Sequence, residues 1–372
     1  MLWTGGLSWL LRVLQHGVVQ VASCAFRALY CPPSKDAKHS LFKRCASPLA
    51  SKVCHEKARK WTSLTPCLSG VSDSMNAVVC ARAVEKCFGD FTAVAGLSFS
   101  VEAGQCIGIL GPNGAGKTTT MRMLMGLTSL TRGSLEVFGV PVTQLGRERR
   151  GRIGLVPQDD TLDPDLSVRQ NLEVYGSYFG LPLERTRACV PALLEFMQLT
   201  ERASDRVMQL SGGMRRRLVI TRALVADPDL VILDEPTTGL DPQARVLIWK
   251  QLSELQRQGK TLLLTTHYMD EAQRLCDYII IIDQGRILTE GKPQNLIDKY
   301  VKGHVFELLK PLPEAFRIDT FDHEDIGDAV LVYVEEIEEL STTIADETEY
   351  RHRQANLEDV FLRLTGRALR DS

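Results

Sequence analysis

The residues best placed to do chemistry in this chain form a glycine-rich segment that directly follows a short apolar run. Gly111–Thr118 reads GPNGAGKT and fits the pattern G-x(4)-G-K-[ST], and the apolar run before it is Cys106–Leu110. Glycines allow successive backbone N–H groups to turn toward phosphate oxygens, and the N-terminus of a following helix attracts the same anion. We expect Lys117 to contact the β- and γ-phosphates of a nucleotide and the Thr118 hydroxyl to coordinate Mg²⁺. The complete predicted phosphate cradle is Gly111, Pro112, Asn113, Gly114, Ala115, Gly116, Lys117, Thr118 and Thr119.

Two carboxylates follow a second apolar run. Leu230–Leu233 is followed directly by Asp234 and Glu235. In α/β sheets a buried strand delivers such side chains to the carboxyl edge of the sheet, where ligands bind. We predict that Asp234 holds Mg²⁺ through water and that Glu235 polarises the water that attacks the γ-phosphate. With the phosphate cradle, these residues predict an enzyme that hydrolyses ATP and has ATP and Mg²⁺ as its cofactors.

Apolar and alternating segments predict the α/β elements that position these residues. Short runs buried on both faces are typical of a parallel sheet covered by helices, whereas alternation is typical of a half-buried strand. Ser167-x-x-Gln170 fits a capping box, which predicts the start of a helix. The predicted strands are Leu97–Glu102, Cys106–Leu110, Leu230–Leu233 and Thr261–Thr266, and the predicted helix faces are Val168, Leu172, Tyr175 and Phe179, then Ile248, Leu252 and Leu255.

The pattern changes after about Tyr300. Ala329–Val334 predicts a strand. Asn356–Gly366 predicts a helix that ends at its glycine. Its expected apolar face is Leu357, Val360, Phe361 and Leu364. We therefore predict a nucleotide-binding domain over residues 75–300 and a small accessory α+β domain over residues 301–372.

Residues 1–74 differ in composition from the rest of the chain. They hold ten Lys/Arg against three Asp/Glu, a net charge of +7, whereas the whole chain carries −2. Arg12 and Arg27 interrupt the most apolar stretch, so it does not predict a membrane helix. Three interpretations remain open: a basic membrane-surface or targeting arm, a disordered tail, or non-coding sequence translated from a start chosen too far upstream, with Met75 as the natural start. We favour a dispensable or spurious extension.

The order of the remaining motifs resembles one family. Leu210–Met214 reads LSGGM and is similar to the signature motif of ABC transporter ATPases. In that family the signature lies between the phosphate-binding loop and the paired carboxylates, as it does here. Gln158 matches the Q-loop glutamine, Asp241 matches the D-loop aspartate, and His267 matches the switch histidine. The resemblance extends from about Val79 to Leu296.

The resemblance implies an α/β P-loop NTPase fold, with a parallel-sheet core, an antiparallel β portion and a helical subdomain. It implies a homodimer in which two chains sandwich two ATP molecules. Gln158 would sense the γ-phosphate and contact the metal beside Thr118 and Asp234, while Glu235 and His267 would orient water and phosphate. The nucleotide site of the partner chain would be completed by Ser211, Gly212, Gly213 and Asp241.

Two positions depart from the usual pattern of the family. The last signature residue is Met214 where Gln is common, but the resemblance assigns the phosphate contacts to Ser211 and the Gly213 N–H. The residue that stacks on adenine is usually Tyr, and here the matching position is Phe88, with Phe91 as a near competitor. A phenyl ring still offers a face to the base.

Four longer segments are more specific. They resemble the ATP-binding subunits of ABC-2-type exporters, most of all the nodulation-factor export group, with antibiotic-exporter ATPases as relatives. This resemblance implies a separate integral membrane permease, a peripheral location on the cytoplasmic face of a bacterial inner membrane, and a lipo-oligosaccharide cargo. Drug or glycolipid export, or an ABC ATPase not tied to transport, remains the alternative. The segments are GRIGLVPQDDTLDPDLSVRQNLEVYGSYFG, LSGGMRRRL, THYMDEAQRLCD and ANLEDVFLRLTGR.

Other functional classes fit the sequence less well. Ribosome-associated ABC proteins normally carry two cassettes, and one phosphate-binding loop occurs here. ABC proteins of DNA repair insert a long coiled coil, but residues 119–229 contain no sustained heptads. The net charge of −2 predicts no nucleic-acid partner, so we interpret Arg215–Arg217 as a solvated helix face. The ten cysteines include no C-x-x-C pair, which argues against a zinc ribbon.

Overall fold

The computed structural model describes residues 77–301, 303–312, 317–341 and 349–366. The interpretation of residues 1–74 as a dispensable arm concerns residues outside this set. Among the helices of the described residues, none is long and apolar enough to cross a membrane.

The described strands form three sheets. The first is antiparallel with the order β2-β1-β4-β5, the second has six strands in the order β10-β9-β3-β8-β7-β6, and the third has the order β12-β13-β11-β14. The strands are β1 Ala77–Phe88, β2 Phe91–Glu102, β3 Cys106–Leu110, β4 Arg132–Val137, β5 Val140–Pro141, β6 Ile153–Val156, β7 Leu230–Asp234, β8 Thr261–Thr266, β9 Tyr278–Asp283, β10 Arg286–Gly291, β11 His304–Leu309, β12 Asp322–Asp325, β13 Ala329–Val334 and β14 Tyr350–Gln354.

The helices cover the sheets and form a separate helical portion between β6 and β7. They are α1 Lys117–Leu124, α2 Arg147–Gly151, α3 Val168–Tyr178, α4 Leu183–Phe196, α5 Gly212–Leu224, α6 Pro242–Arg257, α7 Met269–Leu275, α8 Pro293–Tyr300, α9 Ile337–Ser341 and α10 Leu357–Thr365. Short 3-10 turns occupy Val142–Gln144, Thr200–Arg202, Val207–Gln209 and Ile318–Thr320.

The six-stranded sheet lies between the two larger hydrophobic cores of the described residues. Strands β9, β3, β8, β7 and β6 are parallel, and β10 joins them antiparallel. Alternate residues of each buried strand enter different cores: Val231 and Leu233 pack with helices, whereas Leu230 and Ile232 pack against the antiparallel sheet. Burial on both faces explains why the sequence of these strands is continuously apolar.

Several elements have the bounds that the sequence predicted. Cys106–Leu110, Thr261–Thr266 and Ala329–Val334 are strands over the predicted residues. The Ser167 side chain accepts a hydrogen bond from Gln170 N, and Gln170 returns one to Ser167 N, which confirms the capping box. The predicted segment Leu97–Glu102 is the second half of the longer strand β2, whose first half pairs with β1.

The C-terminal sheet shares a core with the nucleotide-binding region. Its strands turn Val305, Leu331 and Tyr333 toward the main helical core, while Phe306 and its neighbours on the other face form a small separate core. Helix α10 contacts α7 and α8 and places Phe361 in the main core. The sheet that follows residue 300 therefore has one face in the main core and the other face in a small core of its own.

Candidate active site

Four adjacent strands of the central sheet end at the same edge, and the predicted catalytic residues follow those ends. The phosphate cradle follows β3, Gln158 lies two residues beyond β6, Asp234 ends β7, and His267 follows β8 directly. Because the strands are parallel, their carboxyl ends meet at one edge of the sheet. Residues separated by more than 150 positions in the sequence are thereby brought together.

Two glycines of the cradle are required by close backbone approaches. A Cβ atom at Gly111 would lie 2.2 Å from the carbonyl oxygen of Ile282, and one at Gly116 would lie 2.5 Å from that of Ala93. Gly116 also adopts a φ of 104°, in the region that favours glycine. Helix α1 begins at the next residue, so its N-terminal N–H groups face the loop. This arrangement fits a bound phosphate.

Lys117 is held against the loop that precedes it. Its side chain is 4% exposed, and Nζ donates hydrogen bonds to the carbonyl oxygens of Gly111 at 2.7 Å and Pro112 at 3.0 Å. Burial lowers the pKa of Lys117, although Glu235 and Asp234 act in the opposite direction. The ammonium group lies 3.8 Å from Glu235 Oε1, so cation and carboxylate face each other across the site.

The two acidic residues have different environments. The Thr265 hydroxyl donates to Asp234 Oδ1 and accepts a hydrogen bond from Glu235 N, so one threonine of β8 holds both residues. Burial raises the pKa of Asp234. Glu235 adopts a φ of 46°, uncommon for a residue other than glycine, and this left-handed conformation turns the chain away from β7.

Three polar side chains surround one oxygen of Glu235. Oε2 accepts a hydrogen bond from Thr238 Oγ1 at 3.1 Å and one from Gln158 Nε2 at 3.4 Å. His267 Nδ1 lies 3.4 Å from the same oxygen, without the alignment of a regular hydrogen bond. The contact with His267 is the main cause that lowers the pKa of Glu235. Glu235 is therefore held as a carboxylate, the form that can accept a proton from water.

A cleft of about 250 Å³ is lined by six of the nine residues predicted for the phosphate cradle. It adjoins both the phosphate loop and Glu235. Its lining residues are Phe91, Ala93, Asn113, Gly114, Gly116, Lys117, Thr118, Thr119, Gln158 and Glu235.

Of the two aromatic residues considered for stacking on adenine, Phe91 is the one that lines this cleft. Phe88 and Phe91 are paired across the β1–β2 turn, and both rings are mainly exposed, at 53% and 64%. Phe91 lines the cleft, whereas the Phe88 ring carries the Lys86 ammonium at 4.8 Å from its centre. The two positions flank the same two-residue turn, and motif spacing alone does not determine which ring turns inward.

The signature and D-loop residues lie at helix starts outside this cleft. Ser211 caps α5 by accepting a hydrogen bond from Met214 N, and Gly212 and Gly213 form its first turn. Asp241 caps α6 by accepting one from Ala244 N. None of these four described residues lines the cleft.

The arginine run after the signature is not a solvated helix face, so that interpretation was wrong for its middle residue. Arg216 is 4% exposed. It donates hydrogen bonds to the carbonyl oxygens of Gln158, after β6, and of Pro236, after β7. Both segments lie at the carboxyl edge of the central sheet, which we call the active edge. Its burial follows from helix periodicity: Val219, Ile220 and Ala223, at i+3, i+4 and i+7, are buried on the same face. That spacing was present in the sequence and could have revealed the buried position.

Known proteins resemble the chain in both sequence and fold. Residues 94–238 match the ABC transporter family, and residues 320–366 match the C-terminal domain of the nodulation factor export protein NodI. The Nod factor export ATP-binding protein I of Burkholderia lata is 51% identical over 78% of this chain and 97% of its own length. The protein of the same name from Cupriavidus metallidurans is 50% identical over 80% of this chain and its whole length.

A solved relative shows the same fold. An ATP-binding cassette determined as a dimer, in a post-hydrolysis state with ADP and phosphate, superimposes with a TM-score of 0.53 at 28% identity, covering 57% of this chain and 98% of that one. The predicted P-loop NTPase fold and the predicted export-ATPase resemblance are confirmed. The chain is an ATPase cassette and belongs to the ATP-binding subunits of ABC transporters, within the family of Nod factor export ATP-binding protein I.

Proposed function

We propose that this chain hydrolyses ATP to power an ABC-2-type exporter and that Glu235 is its general base. One observation carries the catalytic assignment: Glu235 lies in the cleft beside the phosphate loop, with Gln158, Thr238 and His267 around one of its oxygens. A carboxylate with a lowered pKa at this position can accept a proton from the attacking water.

The other residues of the site bind and orient the nucleotide. Lys117 exchanges its two carbonyl partners for phosphate oxygens, which brings its charge to the β- and γ-phosphates. His267 orients the γ-phosphate and Gln158 senses it. The hard oxygen atoms of Thr118, Gln158 and, through water, Asp234 fit Mg²⁺. Bound Mg²⁺ would neutralise charge on the phosphates.

The proposed assembly is a homodimer. Ser211, Gly212, Gly213 and Asp241 lie outside the cleft that holds the phosphate loop of their own chain. In a two-fold dimer they would contact the nucleotide of the partner. The solved cassette that shares the fold was determined as a dimer, which supports this arrangement.

The names of the relatives support a nodulation-factor-like lipo-oligosaccharide as the cargo. We propose a separate integral membrane permease as the partner, which places the chain on the cytoplasmic side of the membrane where ATP is available. We further propose that residues 301–372 are regulatory or interactive, since the sheet they contribute carries no nucleotide motif.

The export proposal is tested by reconstitution. The full chain is co-expressed with an ABC-2-type integral membrane permease, purified as a complex in lipid vesicles, and assayed for ATP hydrolysis with a lipo-chitooligosaccharide or an anthracycline. We expect the lipo-oligosaccharide to stimulate hydrolysis and the complex with Glu235→Gln to show no stimulation. Stimulation by the anthracycline alone would identify a drug exporter. Failure of the two chains to co-purify would contradict the transport assignment.

A further inference from the structure

The buried guanidinium of Arg216 joins two segments of the active edge that are far apart in sequence. It belongs to α5, the helix that begins with the signature motif. All five of its N–H groups are used, and all five acceptors are backbone carbonyl oxygens, those of Pro157, Gln158, Asp234, Glu235 and Pro236.

The geometry of these contacts divides between two loops. The Nη1 group donates to Gln158 O at 3.2 Å and also to Pro157, on the segment that follows β6. The Nη2 group donates to the carbonyl oxygens of Asp234 and Glu235, both at 3.0 Å, and Nε donates to Pro236 O at 2.7 Å, on the segment that ends β7. A rigid planar fork therefore spans the gap between the Gln158 loop and the acidic pair.

Other arginines of α5 hold the same loop. Arg215 contacts the Asp160 carboxylate at 3.4 Å, and Arg222 donates hydrogen bonds to the backbone and side chain of Thr161. The segment from Pro157 to Thr161 is thus fastened to one helix along its length. Arg216 alone among these three also reaches the segment of Glu235.

We propose that Arg216 is a positioning residue for ATP hydrolysis, which fixes the separation of Gln158 and Glu235 and ties both to the helix of the signature motif. The direct contact between these two side chains is long, 3.4 Å between Gln158 Nε2 and Glu235 Oε2, so it depends on where their backbones are held. Arg216 acts on these backbones, and none of its five hydrogen bonds goes to the phosphate loop. Its loss should therefore reduce turnover and leave ATP binding by the phosphate loop intact.

Arg217 provides a matched control on the next residue of the same helix. It also donates to two backbone carbonyl oxygens, those of Met197 at 2.8 Å and Gln198 at 3.0 Å, but these lie at the end of α4, away from the active edge. Arg217→Met removes the same charge and similar hydrogen bonds without changing the contacts of Gln158 or Glu235.

The experiment compares Arg216→Met, Arg216→Lys and Arg217→Met in the full chain, by steady-state ATP hydrolysis and by titration with a fluorescent ATP analogue. For Arg216→Met we expect kcat to fall about 100-fold, the scale of a small misplacement of catalytic groups. The affinity for the analogue should stay close to that of the wild type. Arg216→Lys keeps the charge but offers three donors to five acceptors, so its kcat should be intermediate. Arg217→Met should retain wild-type kcat.

The proposal rests on the proposed roles of Gln158 and Glu235, but this assay contains no permease and no cargo, so failure of the export proposal would not alter its result. If Arg216→Met does not fold, the kcat and the ATP-analogue affinity of Arg216→Lys alone decide the test. Wild-type kcat in Arg216→Lys would overturn the proposal, because charge alone would then suffice. A parallel loss of affinity and kcat, or an equal loss of kcat in Arg217→Met, would also overturn it, because each indicates a general structural role.

Discussion

The carboxyl edge of the central sheet and the C-terminal sheet both bury charged side chains, but they compensate for the charge in different ways. Next to the C-terminal sheet, Asp359 receives two hydrogen bonds of 2.6 Å from Arg353 and one of 2.9 Å from Asn356 N, so short contacts hold its carboxylate. At the active edge, Glu235 is shared among Lys117 at 3.8 Å and His267 at 3.4 Å. Short bidentate pairs rigidify a structure, whereas long, shared contacts can be exchanged for a ligand.

The same contrast appears in the pKa values of the active edge. Burial lowers the pKa of Lys117 and raises the pKa of Asp234. In both residues, the neighbouring groups therefore do not fully offset the cost of burying the charged form. A bound phosphate and a cation would supply the missing partners. We conclude that the active edge is incompletely compensated without nucleotide, whereas the short contacts of Asp359 beside the C-terminal sheet stabilise the fold.

The largest expected effect tests the structural role of the C-terminal region. Phe361 is 2% exposed in the main core, so Phe361→Ala should lower the free energy of unfolding by about 3–5 kcal/mol. Urea denaturation measures this loss, and Ile326→Ala, at a side chain 38% exposed, should change stability by less than about 0.5 kcal/mol. The kcat per folded molecule should be unchanged. A lower kcat in folded Phe361→Ala would show that the two regions are coupled in catalysis.

The next effect tests whether the active edge needs the nucleotide to complete it. Lys117→Ala should weaken ATP binding by about 100-fold, since hydrogen bonds to charged groups contribute about 1.5–3 kcal/mol. Stability should fall little, because the lysine is incompletely compensated in the free protein. Lys260→Ala, which breaks an ion pair with Asp227 far from the cleft, is the control for a lost lysine. Binding close to wild type would remove Lys117 from the phosphate site.

A smaller effect distinguishes the two aromatic residues. Stacking of a base on an aromatic ring contributes about 1–3 kcal/mol, so the variant that loses it should bind ATP about tenfold more weakly. The cleft favours Phe91→Ala for this loss, whereas the motif resemblance favours Phe88→Ala. Titration of both variants with a fluorescent ATP analogue decides between them. Equal affinities for both variants and the wild type would mean that neither ring stacks on the base.

The smallest effect concerns Met214. Its side chain packs against the main core, and its backbone N–H donates to Ser211, so the contacts proposed for the partner nucleotide do not involve its thioether. Met214→Gln should change the activation free energy of hydrolysis by less than about 1 kcal/mol, as measured by kcat/KM. A 100-fold change would assign Met214 a direct part in the nucleotide site.

The comparison also shows what could be predicted from the sequence. The phosphate loop and the buried strands could be predicted from short stretches of sequence, because the strand, the loop and the helix follow one another in the chain. The contacts of Arg216 and the choice between Phe88 and Phe91 depend on loops that meet only in the folded chain. The packing of Phe361 into the main core likewise joins residues distant in sequence, so motif order alone did not reveal it.

The central claim is that Glu235 catalyses hydrolysis and is not needed for binding. Glu235→Gln has nearly the same shape but no negative charge, so ATP should still bind, and a dimer held by ATP should accumulate. We expect phosphate release to fall by roughly 10²–10⁴-fold, the usual contribution of a positioned general base. The most direct measurement is single-turnover phosphate release by Glu235→Gln with saturating ATP and Mg²⁺, beside an ATP-binding titration. Strong binding with the predicted loss of phosphate release would support the account, and phosphate release at the wild-type rate would contradict it.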